Sequence, residues 1–132
     1  MRSIAAAALF FSLFAASGAA APRNALLGDW RVEALEDPAA TSGSTVSMRF
    51  GADSRLSGKG PCNRYQAAYK ADGESLTIAA PATTRMACPP AVMRQETRFL
   101  SLLASVRRWS VAGDTLSLYA EDGAPALRAR RM

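Results

Sequence analysis

Pro90-Ala91-Val92-Met93-Arg94-Gln95-Glu96-Thr97-Arg98-Phe99-Leu100-Ser101-Leu102-Leu103-Ala104-Ser105-Val106 is the stretch where the chain changes its period. Val92, Phe99, Leu100, Leu103 and Val106 share one face of a 3.6-residue repeat, while Arg94, Arg98, Ser101 and Ser105 lie on the opposite face. Pro90 suits the start of such a helix, because its missing N–H has no intrahelical partner there and its φ is already helical. This is the one convincing helix in the sequence.

Outward from it, the pattern is short strands and turns. Trp30, Val32 and Ala34 alternate with Arg31 and Glu33, and Val46, Met48 and Phe50 alternate with Ser47 and Arg49. Gly51-Ala52-Asp53 turns the second of these into Arg55 to Lys59, a hairpin. A second hairpin joins the strand from Tyr65 to Tyr69 with that from Ser75 to Ala79 through Ala71-Asp72-Gly73-Glu74. Residues 37–44 read as a loop, and residues 81–90, with three prolines, as an irregular crossing. Beyond the helix, Trp109 and Val111, then Leu116 and Leu118, then Leu127 mark three more strands, with Gly113-Asp114 and Glu121-Asp122-Gly123 as turns. The expected fold is α+β and mostly β: a curved antiparallel sheet or partial barrel of about eight short strands with one helix packed on it.

The amino terminus predicts export. Met1-Arg2 is followed by an uncharged apolar run from Ile4 to Ala16 and by small residues to Ala21, the layout of a signal peptide over residues 1–20. The run is too short to span a bilayer, which needs about 20 apolar residues. No cysteine lies in it or just after it to carry a lipid anchor, so a periplasmic or secreted protein is expected, with residues 21–132 as a single domain.

Cys62 and Cys88 are the only cysteines. In a small exported domain such a pair is expected to form a structural disulfide, and a redox-active bond stays open because Arg64 and Arg85 lie close by. The closed loop has about 27 residues, for which loop-closure entropy gives roughly 3.5 kcal/mol. Zinc is disfavoured by the absence of histidine and of a C-x-x-C pair.

Glu96 is the anomalous residue. It lies among Val92, Phe99, Leu100 and Leu103 on the apolar face, where an unpaired carboxylate is costly. Arg85 and Arg64 are the expected partners, since a disulfide would bring both close and a guanidinium offers a planar fork to a carboxylate. Such a pair either fixes helix to loop or leaves one Arg partly free in a cleft near Tyr65 for an anionic ligand group.

Chemistry is bounded mainly by exclusion. With no histidine, Ser-His-Asp and Cys-His hydrolases and any His base are ruled out. The acidic cluster Asp29, Glu33, Glu36 and Asp37 reads as solvated and not as a catalytic dyad. Gly58-Lys59-Gly60 lacks the Ser or Thr and the following helix of a phosphate loop. Tyr65 and Tyr69 share a strand face and suit core packing. The formal net charge is +5, a weak, salt-dependent attraction to anionic envelope material, while the lack of basic runs interleaved with aromatics argues against nucleic acid. Arg128, Arg130 and Arg131 form the densest basic cluster, read as a solvated edge strand.

Four segments, Leu27-Gly28-Asp29-Trp30, Gly60-Pro61-Cys62-Asn63-Arg64-Tyr65, Thr84-Arg85-Met86-Ala87-Cys88-Pro89 and Met93-Arg94-Gln95-Glu96, together resemble the META domain of bacterial HslJ-like heat-shock proteins. The resemblance spans roughly residues 26 to 130. Cys62, Asn63, Arg64, Tyr65, Thr84, Arg85, Met86, Cys88 and Glu96 match the identifying pattern, and Pro61 stands where many members carry Gly. The resemblance implies a compact β-rich fold, no agreed catalytic residues, and an association with heat stress, envelope integrity and secretion; no cofactor is expected. The expectation is a monomeric, non-enzymatic envelope protein that binds an envelope protein or anionic envelope component. The alternative is an inhibitor or partner of an envelope enzyme, with a thiol-redox protein as the third reading.

Overall fold

The computed structural model describes residues 22–35 and 45–132; the signal peptide expected over residues 1–20 and the loop expected over 37–44 lie outside them. The elements are β1 (Gly28–Leu35), β2 (Ser47–Phe50), β3 (Arg55–Lys59), β4 (Arg64–Asp72), β5 (Ser75–Ile78), β6 (Ala82–Thr83), α1 (Pro90–Ser105), β7 (Val106–Ala112), β8 (Thr115–Ala120) and β9 (Pro125–Arg131). Every strand pairing is antiparallel.

The sheet closes into an eight-stranded barrel. Pairings between consecutive strands supply most of the ring, and two pairings between strands apart in the chain complete it: β1 with β9, and β5 with β7 through Ser75 opposite Arg108. β4 is long enough to serve several neighbours. Its residues 64–68 pair with β3, while β5 and then β6 run along its other edge. The short β6 thus lies inside the crossing of residues 81–90, whose three prolines predict no regular element. Closure also corrects the reading of the last strand: β9 is flanked by β1 and β8 and is not an edge, although Arg128 and Arg130 are exposed as expected.

Period two fills the barrel. Trp30, Met48, Phe50, Leu56, Leu76, Leu116 and Leu118 point inward and are fully or almost fully buried, each burial stabilising by about 1.5–3 kcal/mol for a side chain of Leu or Phe size. Phe99 and Leu103 of α1 join the same core, with the helix packed against β9 and β5. The helix buries Leu102 rather than Val92 and Leu100, which are only partly covered, and it stops at Ser105. Val106, expected on the helical face, turns extended and opens β7.

The two ends of the described chain lock together beside Trp30. The Arg131 guanidinium lies 4.1 Å over the indole and donates to Ala25 O at 2.7 Å and Leu27 O at 3.1 Å. At the β4–β5 hairpin, Gly73 has φ +56°, as the Asp-Gly pair foretold.

Gly58 has a different reason to be glycine. A Cβ there would sit 2.2 Å from Ser47 O and 3.0 Å from the Tyr65 hydroxyl, the two atoms that hydrogen-bond to each other at 2.6 Å. Gly58→Ala is therefore expected to part β2 from β3 at this point and cost about 2 kcal/mol, read as a lower urea midpoint with unchanged slope.

Candidate functional site

The matched motif residues converge on one place, where the loop after β3, the crossing after β6 and helix α1 meet. Cys62 and Cys88 are bonded, with Cα atoms 6.1 Å apart. The bond ties the β3–β4 loop to the residues just ahead of the helix. Asn63, buried, does the rest. Its Oδ1 accepts from Met86 N at 2.7 Å and from Thr84 Oγ1 at 3.0 Å, and its Nδ2 donates to Glu96 Oε2 at 2.7 Å and Met86 O at 3.4 Å. Thr84 Oγ1 in turn accepts from Arg64 N at 3.1 Å.

Glu96 is buried, as its place on the apolar face implied, but the expected ion pair with Arg85 or Arg64 is not formed. Its Oε1 accepts from Asn63 N at 2.6 Å and Cys62 N at 3.2 Å, and its Oε2 from Asn63 Nδ2. Three N–H donors fixed by a cross-linked loop satisfy a carboxylate without the desolvation cost of a buried guanidinium. Arg64 and Arg85 are left exposed at the surface. The Met86 side chain is 57% exposed, so this residue enters the network only through its backbone. Among the described residues, no buried side-chain nitrogen or oxygen lacks a partner.

Tyr65 links this clasp to the barrel, its ring packed edge-on against Phe99 at 5.3 Å. Beside it, on the outer surface of β2, β3 and β4, lies an open groove of about 560 Å³, with Arg49, Lys59 and Arg64 as its cations and Asp29 as its carboxylate. Glu33, the other described member of the acidic cluster, pairs instead with Arg130, Nε to Oε1 at 2.8 Å.

Residues 24–132 match the META domain family. The chain is a member of that family. Among solved structures, a protein from Burkholderia xenovorans determined by NMR is similar at 25% identity and TM-score 0.61, over 81% of this chain and 84% of that one. A crystal structure of a DUF4847 family protein from Bacteroides vulgatus shares the fold at 14% identity and TM-score 0.60, over 80% of this chain and 92% of that one. Comparison with curated proteins gave no match.

In this META domain Cys62, Asn63, Thr84, Cys88 and Glu96 of the identifying pattern thus form a structural clasp. The sequence marked Glu96 as needing a partner but gave Asn63 no such role, since a polar residue after a cysteine reads equally well as a turn. The sequence points to Arg64 as an Arg that could stand free in a cleft near Tyr65, but not to Arg49 and Lys59 beside it, because these cations come from other strands and meet Arg64 only through strand register.

Burial raises the Tyr65 pKa well above its ordinary value near 10. In the folded domain the phenol stays neutral where the unfolded chain ionises. This contribution is fully present below pH 10 and is lost as pH rises further, by about 1.4 kcal/mol per pH unit for one proton. Tyr65→Phe, which lacks the hydroxyl bond to Ser47, is expected to be about 1 kcal/mol less stable at pH 7 but to show a shallower decline in alkali. Urea titrations from pH 7 to 11 check both; parallel declines would show that Tyr65 does not drive the effect.

Proposed function

We propose that this META domain is an exported, monomeric, non-enzymatic binding or accessory domain of the bacterial envelope, acting under heat or envelope stress. One observation carries the reading: the buried residues of the identifying pattern are consumed by one another, while Arg64, Arg85 and Met86 keep their side chains at the surface. Glu96, Asn63, Thr84 and the disulfide satisfy each other beside a closed barrel, and a groove with three exposed cations lies on the outer face next to them. Such a scaffold presents a fixed surface to a partner, consistent with a family linked to stress and secretion. No helix among the described residues is long and apolar enough to cross a membrane.

The reading as an inhibitor or partner of an envelope enzyme draws on the segment after β6. It is held at Thr84 and Cys88, and between them it displays the Met86 side chain, a firm loop of the kind inhibitors present.

Crosslinking in the native envelope during heat stress, followed by mass spectrometry, tests the proposal. One protein enriched with the wild type and lost with Cys62→Ser/Cys88→Ser is the expected result. Crosslinks mapping to residues 84–89 would favour the inhibitor reading, and the absence of any enriched protein would remove the protein-partner form of the proposal.

A further inference from the structure

We infer that the groove on the outer face of β2, β3 and β4 binds an acidic polysaccharide, with Arg49, Lys59 and Arg64 holding its anionic groups. The inference rests on the reading of this chain as a binding domain and gives that domain a site and a ligand class.

Register creates the site. Lys59 on β3 stands directly opposite Arg64 on β4, and Arg49 on β2 stands opposite Ser57, two residues before Lys59. Neighbouring side chains of this kind have Cβ atoms about 5 to 8 Å apart. All three cations are exposed, and none forms an ion pair among the described residues. Two like charges directly opposite in a sheet are destabilising. The arrangement therefore carries an uncompensated repulsion that a bound oxyanion relieves. Asp29 lies opposite Arg49 without pairing to it, so the anionic groups of a ligand belong toward the Lys59 and Arg64 end.

The surroundings select the ligand. Ser57, Gln66 and Thr83 line the same groove and offer hydrogen bonds suited to hydroxyls and oxyanions. A single-stranded nucleic acid needs exposed aromatic rings for base stacking, whereas among the described residues the only aromatic one in the lining is Tyr65, which is buried. A membrane surface calls for apolar side chains to enter the headgroup region, and the exposed large apolar residues among those described, Met86 and Met132, do not line the groove. A chain of sugars bearing regularly spaced carboxylates or sulfates fits an open trough with three cations and several hydroxyl-seeking donors.

The test is calorimetric titration of the purified protein at low ionic strength with polygalacturonate and dextran sulfate, against neutral dextran, phosphatidylglycerol vesicles and a single-stranded DNA oligonucleotide. Two triple variants lose equal charge: Arg49→Gln/Lys59→Gln/Arg64→Gln in the groove, and Arg94→Gln/Arg107→Gln/Arg108→Gln on the helix and β7. The groove variant is expected to bind the acidic polysaccharides about a hundredfold more weakly, and the other within about threefold of wild type. Asp29→Asn is expected to tighten binding about twofold. Because the groove substitutions remove repulsion between exposed groups, that variant should melt no lower than wild type, so lost binding is not lost folding. Equal losses in both triples, tighter binding to vesicles or DNA, or no binding to either acidic polysaccharide would overturn the inference. If that happened while crosslinking still captured a protein partner, the site would fall and the binding reading would stand.

Discussion

Replacing Glu96 with alanine is expected to lower the unfolding free energy by about 4 kcal/mol. The carboxylate accepts from Cys62 N, Asn63 N and Asn63 Nδ2, and its removal leaves three buried donors facing a hole beneath Gly60. Each unsatisfied donor costs about 1–3 kcal/mol, and water entering from the nearby surface recovers part of the sum. Glu96→Gln separates shape from charge. Its carbonyl can still take the two backbone amides, but its NH₂ group then faces the Asn63 NH₂. Asn63 cannot turn its amide without presenting NH₂ to Met86 N. About 2 kcal/mol is expected for Gln. Urea unfolding of both variants decides the matter: an alanine variant within 1 kcal/mol of wild type would mean that the network contributes little beyond what water supplies.

Reducing the disulfide, or replacing it through Cys62→Ser/Cys88→Ser, should cost about 3.5 kcal/mol and lower the melting temperature by roughly 15–20 °C for a domain of this size. The entropic part comes from the longer freedom of the unfolded chain. A native-state part comes from the loop itself, since Cys62 N and Asn63 N are aimed at Glu96 by the same cross-link. The two perturbations therefore share an object, and the combined Cys62→Ser/Cys88→Ser/Glu96→Ala variant should be destabilised by less than the sum of the separate effects. Thermal melts with and without reductant give the first number, and the double-mutant cycle gives the second. A drop of less than 5 °C on reduction would show that Asn63 and Glu96 hold the loop unaided; strict additivity would show that bond and network act independently.

The strands and the helix were legible because each writes its period into the sequence. Val46, Met48 and Phe50 alternate, and Val92, Phe99 and Leu103 repeat at helical spacing, so binary pattern alone places them. Asp-Gly at residues 72–73 announced its turn. The two-residue β6 was not legible, since its pairing with Tyr65 and Gln66 is set by β4 and not by any preference of Ala82 and Thr83. The end of the helix was misplaced by one residue because Val106 satisfies both periods, apolar on the helical face and apolar in the barrel.

Glu96 shows the same division at the level of the site. Its position on an apolar face told from sequence that the carboxylate was buried and must be satisfied. Which group satisfies it depends on where the Cys62–Cys88 loop lies in space, and there backbone amides and Asn63 sit closer than either arginine. Sequence by itself determined the mostly β composition, the single helix, the two candidate partners of the disulfide and the need for a buried acceptor, because these follow from local periodicity and residue chemistry. Only the tertiary structure decided that the sheet closes, that the last strand has no free edge, that Glu96 is held by amides, and that Arg49, Lys59 and Arg64 meet in one groove. Those outcomes depend on strand register and loop closure between residues far apart in the chain, for which no local pattern carries a signal.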